Sequence, residues 1–215
     1  MTLDARPHHC SIADYLARER DAHEKHEFRD GRIFLKPHTS PDHSLVTANV
    51  AGELGNLLKG KAGHVYDSNL RVCIPRTIFY TYPDATVICG MPAVDPNDSA
   101  GETVTNPKLI VEVLSPSTEA YDRGEKFARY RLLDSLEEYV LVSLSTPRVE
   151  TFYRAPAPAP TPDIDPASAP AERTWLISTT NATSASAQLR SLGITLALAE
   201  IYRGLEFPSA TPGDT

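Results

Sequence analysis

The sequence of 215 residues lacks long hydrophobic runs and is poor in cysteine. No stretch approaches the roughly 18 apolar residues of a membrane span, and residues 1–10 lack the apolar segment of a signal peptide. The three cysteines are an odd number without CxxC spacing, which argues against a disulfide framework or a cysteine-based zinc site. We therefore predict a cytoplasmic protein with no membrane partner.

An excess of positive charge is also missing, since 21 Lys and Arg face 28 Asp and Glu for a net charge of −7. Non-specific binding to nucleic acid depends on neutralising phosphates, so this balance argues against a protein that coats nucleic acid. It still permits an enzyme with a local basic groove. All seven histidines lie between His8 and His64 without zinc spacing, which favours solvated or capping roles.

Hydrophobic periodicity and turn residues predict a mixed α/β chain with a hairpin-rich sheet and helices on its faces. Helices are predicted from Ser11 to about Arg20 and over 42–59, 122–133 and 196–202. The Asp30-Gly31 turn predicts a hairpin over 26–35. Further strands are predicted over 64–66, 70–74, 79–82, 85–89, 138–144, 149–153 and 175–178, and a loop over 91–107 leads to a strand around Glu112.

The length and the patterning predict one domain over residues 11–205. Residues 1–10 and 206–215 are predicted to be a flexible N-terminus and a flexible tail. The Pro/Ala-rich tract 155–171 has no periodicity and favours extended conformers, so we predict a disordered hairpin tip there.

Glu112 interrupts an apolar, β-branched run over 109–114 that ends at Ser115-Pro116. Such a run is typical of a central strand with both faces covered. Burying an ionised carboxylate there costs several kcal/mol unless a cation, a metal or hydrogen bonds compensate. A metal site at the end of the strand is one explanation, and an ion pair with Lys126 is another.

Asp84 stands between two predicted strands and could converge with Glu112. Paired carboxylates repel each other, which favours a hard divalent cation such as Mg²⁺ between them. A bound metal activates water and stabilises charge on a phosphate oxygen, as phosphodiester hydrolysis requires. Lys126, four residues after Asp122, could reach the same edge from the following helix. A turn role for Asp84 remains the alternative.

Residues of this chain resemble the Uma-two (Uma2) family of restriction-type endonucleases in the PD-(D/E)XK nuclease superfamily. The matching segments are 26–31, His43, Pro83-Asp84, 106–118, Asp122, Lys126 and Tyr130, within a match that covers about residues 12–202. The resemblance implies a restriction-endonuclease-like fold: a mixed, four-stranded central sheet with flanking helices, preceded by an N-terminal helix and hairpin. It also implies DNA as substrate, Mg²⁺ or alternatively Mn²⁺ as cofactor, and a homodimer.

By the same resemblance, Asp84 and Glu112 bind the metal, Lys126 is the catalytic cation and Glu27 is an accessory catalytic acid. Two positions depart from the family: Leu114 replaces the superfamily's usual lysine, and Asn69 replaces a frequent acid. Glu27 could instead pair across its hairpin with Arg32.

The expected function is therefore a Mg²⁺-dependent endonuclease that hydrolyses DNA through a metal-activated water. The alternative is a catalytically inactive module of the same fold that binds nucleic acid or acts as a dimeric scaffold. Four arginines, at positions 71, 123, 129 and 131, could form a phosphate-facing rim or could simply be solvated.

Overall fold

The computed structural model describes residues 9–37, 39–156 and 174–207. Most of the predicted N-terminus, the predicted tail and the predicted hairpin tip lie outside these residues, so those boundaries and the single domain stay predictions. The described part of the chain contains no helix with the length and apolarity to cross a membrane.

The helices are α1 (Ile12–Arg20), α2 (Pro41–Leu57), α3 (Glu119–Tyr121), α4 (Phe127–Tyr130) and α5 (Leu198–Ile201). A π-helical turn, Asp122–Lys126, joins α3 to α4, and a 3-10 turn covers Pro75–Thr77. The strands are β1 (His26–Arg29), β2 (Arg32–Leu35), β3 (Gly63–Asp67), β4 (Arg71–Ile74), β5 (Phe79–Thr81), β6 (Ala85–Cys89), β7 (Thr103–Val104), β8 (Leu109–Leu114), β9 (Glu138–Ser143), β10 (Arg148–Arg154), β11 (Trp175–Asn181), β12 (Ser186–Leu189) and β13 (Ile194–Ala197).

The first sheet has five strands in the order β2-β1-β5-β4-β7. Its β1-β2 hairpin turns at Asp30 and Gly31, whose φ angles of 51° and 74° are those of the predicted type I′ turn. The Ser11 side chain caps α1 by accepting from the backbone N–H of Asp14. The predicted N-terminal helix and hairpin are therefore confirmed.

The second sheet has six strands in the order β11-β10-β9-β8-β6-β3, two more than the resemblance implied. Only β8 and β9 run parallel within it, and every residue of both strands is buried. Such apolar strands need cover on both faces. Val46, Val50 and Leu54 of α2 cover one face, and Tyr130 of α4 packs with residues of the first sheet against the other.

Three predicted regions differ in detail from the structure. The predicted loop 91–107 contains β7, which pairs in parallel with β4. The predicted helix 196–202 shrinks to α5, because Ile194–Ala197 pairs with β12 instead. The predicted helix 122–133 starts earlier, at Glu119, includes the π-helical turn and ends at Tyr130. Short strands held by distant partners leave little local pattern, which explains the first two differences.

The chain passes from the first sheet to the second between Thr81 and Ala85. β5 ends at Thr81 and β6 begins at Ala85, so Tyr82, Pro83 and Asp84 form the crossing. Asp84 thereby lies where the two sheets approach each other.

Candidate active site

Asp84 is held at the crossing by three groups. Its Oδ2 accepts a hydrogen bond of 2.8 Å from the backbone N–H of Val113 and lies 3.3 Å from His43 Nε2. Its Oδ1 lies 3.3 Å from Lys36 Nζ. Burial acts to raise the pKa of Asp84, but the charge of Lys36 and the hydrogen bond with His43 hold it well below its usual range. Asp84 is therefore a buried, ionised carboxylate.

Glu112 lies beside Asp84 on the neighbouring strand. The last recorded pair of β6 and β8 joins Ala85 to Val111, so Asp84 and Glu112 occupy the next opposite positions, whose side chains share a face. The Tyr130 hydroxyl donates to Glu112 Oε1 at 2.7 Å. The predicted convergence of the two acids is thus a geometric feature of the sheet.

The pKa of Glu112 is raised to about 7. Burial is the largest cause, and the negative charges of Asp84 and Asp122 add to it, while Lys126 opposes them. Near neutral pH this carboxyl group therefore exchanges a proton, unlike Asp84.

Lys126 contacts three carboxylates from the π-helical turn. Its Nζ lies 2.8 Å from Glu112 Oε1, 3.4 Å from Asp122 Oδ1 and 3.5 Å from Glu27 Oε1. The side chain is only 4% exposed. Burial opposes the charge, but these acids raise the pKa of Lys126 well above its ordinary value. Lys126 is consequently a buried ammonium shared by three acids, and the ion pair with Glu112 that the sequence left open does exist.

Glu27 enters the site from β1. Thr81, opposite it on β5, donates through Oγ1 to Glu27 Oε1, and the Tyr121 hydroxyl donates to Oε2 at 3.0 Å. Arg32, the alternative partner, pairs in register with Arg29 rather than with Glu27. The predicted acid therefore points towards Lys126 and the cavity.

These side chains line one cavity of about 250 Å³ between the sheets, the start of α2 and the π-helical turn. We call it the acid cavity, because its four carboxylates face two ammonium groups: Glu27, Asp84, Glu112 and Asp122 against Lys36 and Lys126. The lining carries two more carboxylates than ammonium groups, an excess that falls by one when Glu112 is protonated or when His43, whose pKa despite its burial is raised by Asp84, is charged. The site is therefore suited to a cationic ligand.

The donor set fits some metals better than others. No three His, Cys, Asp or Glu side chains among residues 9–37, 39–156 and 174–207 form a metal-binding group. Zinc sites use three or four such ligands, so the acid cavity does not fit zinc. Mg²⁺ keeps several waters and is commonly held by one or two carboxylates and substrate phosphates. Asp84 and Glu112 together fit that requirement.

Three residues of the site were not singled out by sequence patterns. Lys36 follows the β1-β2 hairpin, 48 positions before Asp84, and no local signal links the two. Thr81 is an ordinary strand residue, and Tyr121 is the residue that donates to Glu27 from α3. His43, one of the histidines for which the sequence favoured a solvated or capping role, contacts Asp84. Asn69 binds Asp67 in a turn, and Leu114 packs in the apolar core.

Comparisons with known proteins agree with this architecture. Residues 12–177 match a protein-family model described as "Uma2: Putative restriction endonuclease". The "Uncharacterized protein slr1290" of Synechocystis sp. is 36% identical over 198 residues, which cover 92% of this chain and 93% of the relative. A second protein from that organism, "Uncharacterized protein sll1609", is 36% identical over 144 residues, which cover 67% and 80%.

A crystal structure from Anabaena variabilis, titled as "a putative nuclease belonging to DUF820", superimposes with a TM-score of 0.62. The match covers 88% of this chain and 96% of the other at 15% sequence identity. Because the identity is so low, the superposition bears on the fold alone, and it confirms the predicted nuclease-like fold.

Proposed function

The chain belongs to the Uma2 family of restriction-endonuclease-like proteins, and we propose that it is a Mg²⁺-dependent endonuclease that hydrolyses DNA phosphodiester bonds. The observation that carries the proposal is the convergence of Glu27, Asp84, Glu112 and Lys126 in one cavity. Each of these side chains comes from a different element, so only the folded chain assembles them.

In this proposal Asp84 and Glu112 hold the metal, Mg²⁺ or Mn²⁺. Asp84 is ionised and positioned by the Val113 N–H, and Glu112, whose raised pKa favours its protonated form, would hold the metal as a carboxylate. When bound, the metal supplies an activated water and charge stabilisation at the phosphate. Both carboxylates are preorganised by hydrogen bonds, which reduces the ordering that metal binding requires.

Lys126 supplies the ammonium next to the proposed metal ligands. Its Nζ, 2.8 Å from Glu112, would donate to a water or a phosphate oxygen placed in the cavity. Glu27 keeps Lys126 in place and is the proposed accessory acid. Tyr130 positions Glu112 through its hydroxyl.

One observation favours the second candidate, an inactive nuclease-fold module that binds nucleic acid or forms a dimeric scaffold. Asp84 and Glu112 already have protein partners: Lys36 and His43 contact the first, and Lys126 and Tyr130 the second. A cluster that satisfies itself can stabilise the fold without binding any metal.

A cleavage assay separates the two candidates. Purified protein is incubated with plasmid and short duplexes in Mg²⁺ or Mn²⁺, beside Asp84→Ala and Lys126→Ala. We expect cleavage by the wild type and losses of at least about 100-fold in both variants, since each removes a group proposed to stabilise the transition state. Equal inactivity of all three proteins would leave the inactive module as the better description.

Homodimerisation belongs to the same proposal. Sedimentation equilibrium of the full chain, with and without a duplex, measures the mass directly. A monomer under both conditions would remove the dimer from the proposal without affecting the cleavage reaction.

A further inference from the structure

A second hollow of about 290 Å³ adjoins the acid cavity. The two share Lys36, Pro37, Thr39, His43 and Asp84. Beyond this border the lining has one carboxylate, from Glu24, beside Lys25, His23 and the hydroxyl groups of Ser44, Thr47 and Ser68. We call the second hollow the lysine hollow, because Lys25 lines it together with Lys36.

Lys25 lines this hollow, where neutral groups hold its ammonium while the carboxylates of Asp67, Asp84 and Glu19 act on it electrostatically. Its Nζ donates to the backbone carbonyl of Ser68 at 2.7 Å and lies 5.6 Å from the centre of the Tyr82 ring. Burial lowers the pKa of Lys25, and the positive charge of Lys36 lowers it further. Lys25 and Lys36 line one polar hollow and repel each other there, an effect that Asp84 offsets only in part, and an anion bound between the two ammonium groups would relieve the rest.

Three of the four arginines considered for a phosphate-facing rim are less suited to this task, because each is paired with a carboxylate. Arg71 pairs with buried Asp98 at 2.8 Å, Arg123 with Glu119 at 2.7 Å and Arg129 with Asp30 at 2.7 Å. Each would have to give up a carboxylate to bind a phosphate. Lys25 would give up a neutral carbonyl, which costs less.

We propose that the lysine hollow binds a backbone phosphate next to the scissile one on the same nucleic-acid strand, with Lys25 as its binding residue. Asp84 borders both hollows, so a strand whose scissile phosphate lies in the acid cavity continues past Lys36 into the lysine hollow. This inference rests on the proposed nuclease function.

The test measures oligonucleotide binding by fluorescence anisotropy, in EDTA to prevent cleavage, as a function of salt. Lys25→Ala should weaken binding and reduce the slope of log affinity against log salt by about 0.9 on duplex or about 0.7 on single strands. Lys25→Arg should restore most of the slope. Lys59→Ala is the matched control, because this exposed lysine donates to the Asn56 side chain and lies outside both hollows.

A kinetic readout separates phosphate binding from a structural role. Lys25→Ala should raise KM for DNA and leave kcat within about twofold. A contact that holds the substrate equally well before and during the reaction affects KM alone when it is removed. Lys36→Ala, which also removes a contact to Asp84, should lower kcat as well. A fall of kcat in Lys25→Ala equal to that in Lys36→Ala would overturn the assignment.

The other outcomes are distinct from a failure of the nuclease proposal. If the wild type cleaves DNA and Lys25→Ala keeps its salt slope, the subsite is wrong and the nuclease stands. If the wild type does not cleave DNA but Lys25→Ala still reduces the salt slope, the phosphate subsite is supported and the nuclease proposal fails. A last measurement uses inorganic phosphate and thermal unfolding. If phosphate stabilises the wild type but not Lys25→Ala, and the two proteins bind the oligonucleotide with equal affinity, the hollow binds free phosphate. The proposal then fails.

Discussion

Replacing Lys126 by methionine removes the one ammonium that contacts Glu27, Glu112 and Asp122, while keeping a side chain of similar length. The three carboxylates then remain buried, and among the described residues that line the acid cavity Lys36 is the ammonium that is left. Removing one partner of a buried ion pair costs about 3–5 kcal/mol. For a domain of this size that corresponds to a fall in Tm of about 6–20 °C.

The size of this loss should depend on pH. The pKa of Glu112 is about 7 in the presence of Lys126, which lowers it, so it rises further in the variant. When folding raises the pKa of an acid, its contribution to the free energy of unfolding is fully present below the pKa of the unfolded state. That contribution is lost as the pH rises through the pKa of the folded state. The Tm difference between the wild type and Lys126→Met should therefore be smaller near pH 5, where Glu112 is protonated in both proteins, than above about pH 8.

The assay is thermal unfolding followed by circular dichroism, in EDTA, at about pH 5, 7 and 8.5. Lys59→Met serves as the control and should change the free energy of unfolding by less than about 0.5 kcal/mol at every pH, because Lys59 is exposed. The double variant Lys126→Met with Glu112→Gln should recover about 1–3 kcal/mol of the loss, since the two residues are in contact.

A loss below about 1 kcal/mol above pH 8, or one that does not change with pH, would refute the reasoning. The ammonium of Lys126 would then not be the counter-ion of these acids. The same result would weaken its proposed catalytic role, because that role depends on its position beside Glu112.

Three further predictions concern single contacts. Tyr130→Phe should cost about 1–3 kcal/mol in urea unfolding, because Glu112 loses a buried donor, whereas Tyr153→Phe at a half-buried position should cost less. Lys36→Ala should raise the pKa of Asp84, read from the carboxyl ¹³C shift during an acid titration, and an unchanged titration would contradict the stated cause of its low pKa. Ile78 has a φ of 48° and is 48% exposed, so Ile78→Gly should stabilise the protein by about 1 kcal/mol; a lower Tm would show that this side chain makes stabilising contacts.

The parts of the site that could be predicted from the sequence lie on strands with a strong local pattern. Glu112 stands out because its neighbours in the strand are apolar, and Asp84 stands out because Pro-Asp separates two strand-like segments. Antiparallel pairing of those strands brings the acids to opposite positions. Each step uses hydrophobic periodicity and sheet geometry, both of which can be inferred from the amino-acid sequence.

The remaining parts depend on contacts that no local pattern encodes. Lys36 reaches Asp84 only because the first sheet folds back on the second, and the strand β7 forms only because β4 is beside it. The π-helical turn also leaves no trace in the periodicity, yet it carries both Asp122 and Lys126. π-helical turns occur mostly as single turns within helices and often at functional sites. Tertiary contact therefore decides these features.

The position of Leu114 explains why the ammonium of this site comes from a helix. Leu114 lies two residues beyond Glu112, so it shares the same face of β8, but it is only 3% exposed and packs among apolar side chains beside Tyr130. A lysine at that position would bury its charge within this cluster and would need a carboxylate to compensate. The π-helical turn instead brings Lys126 to 2.8 Å from Glu112 across the cavity. The buried carboxylate thus has its cation, although the strand itself provides none.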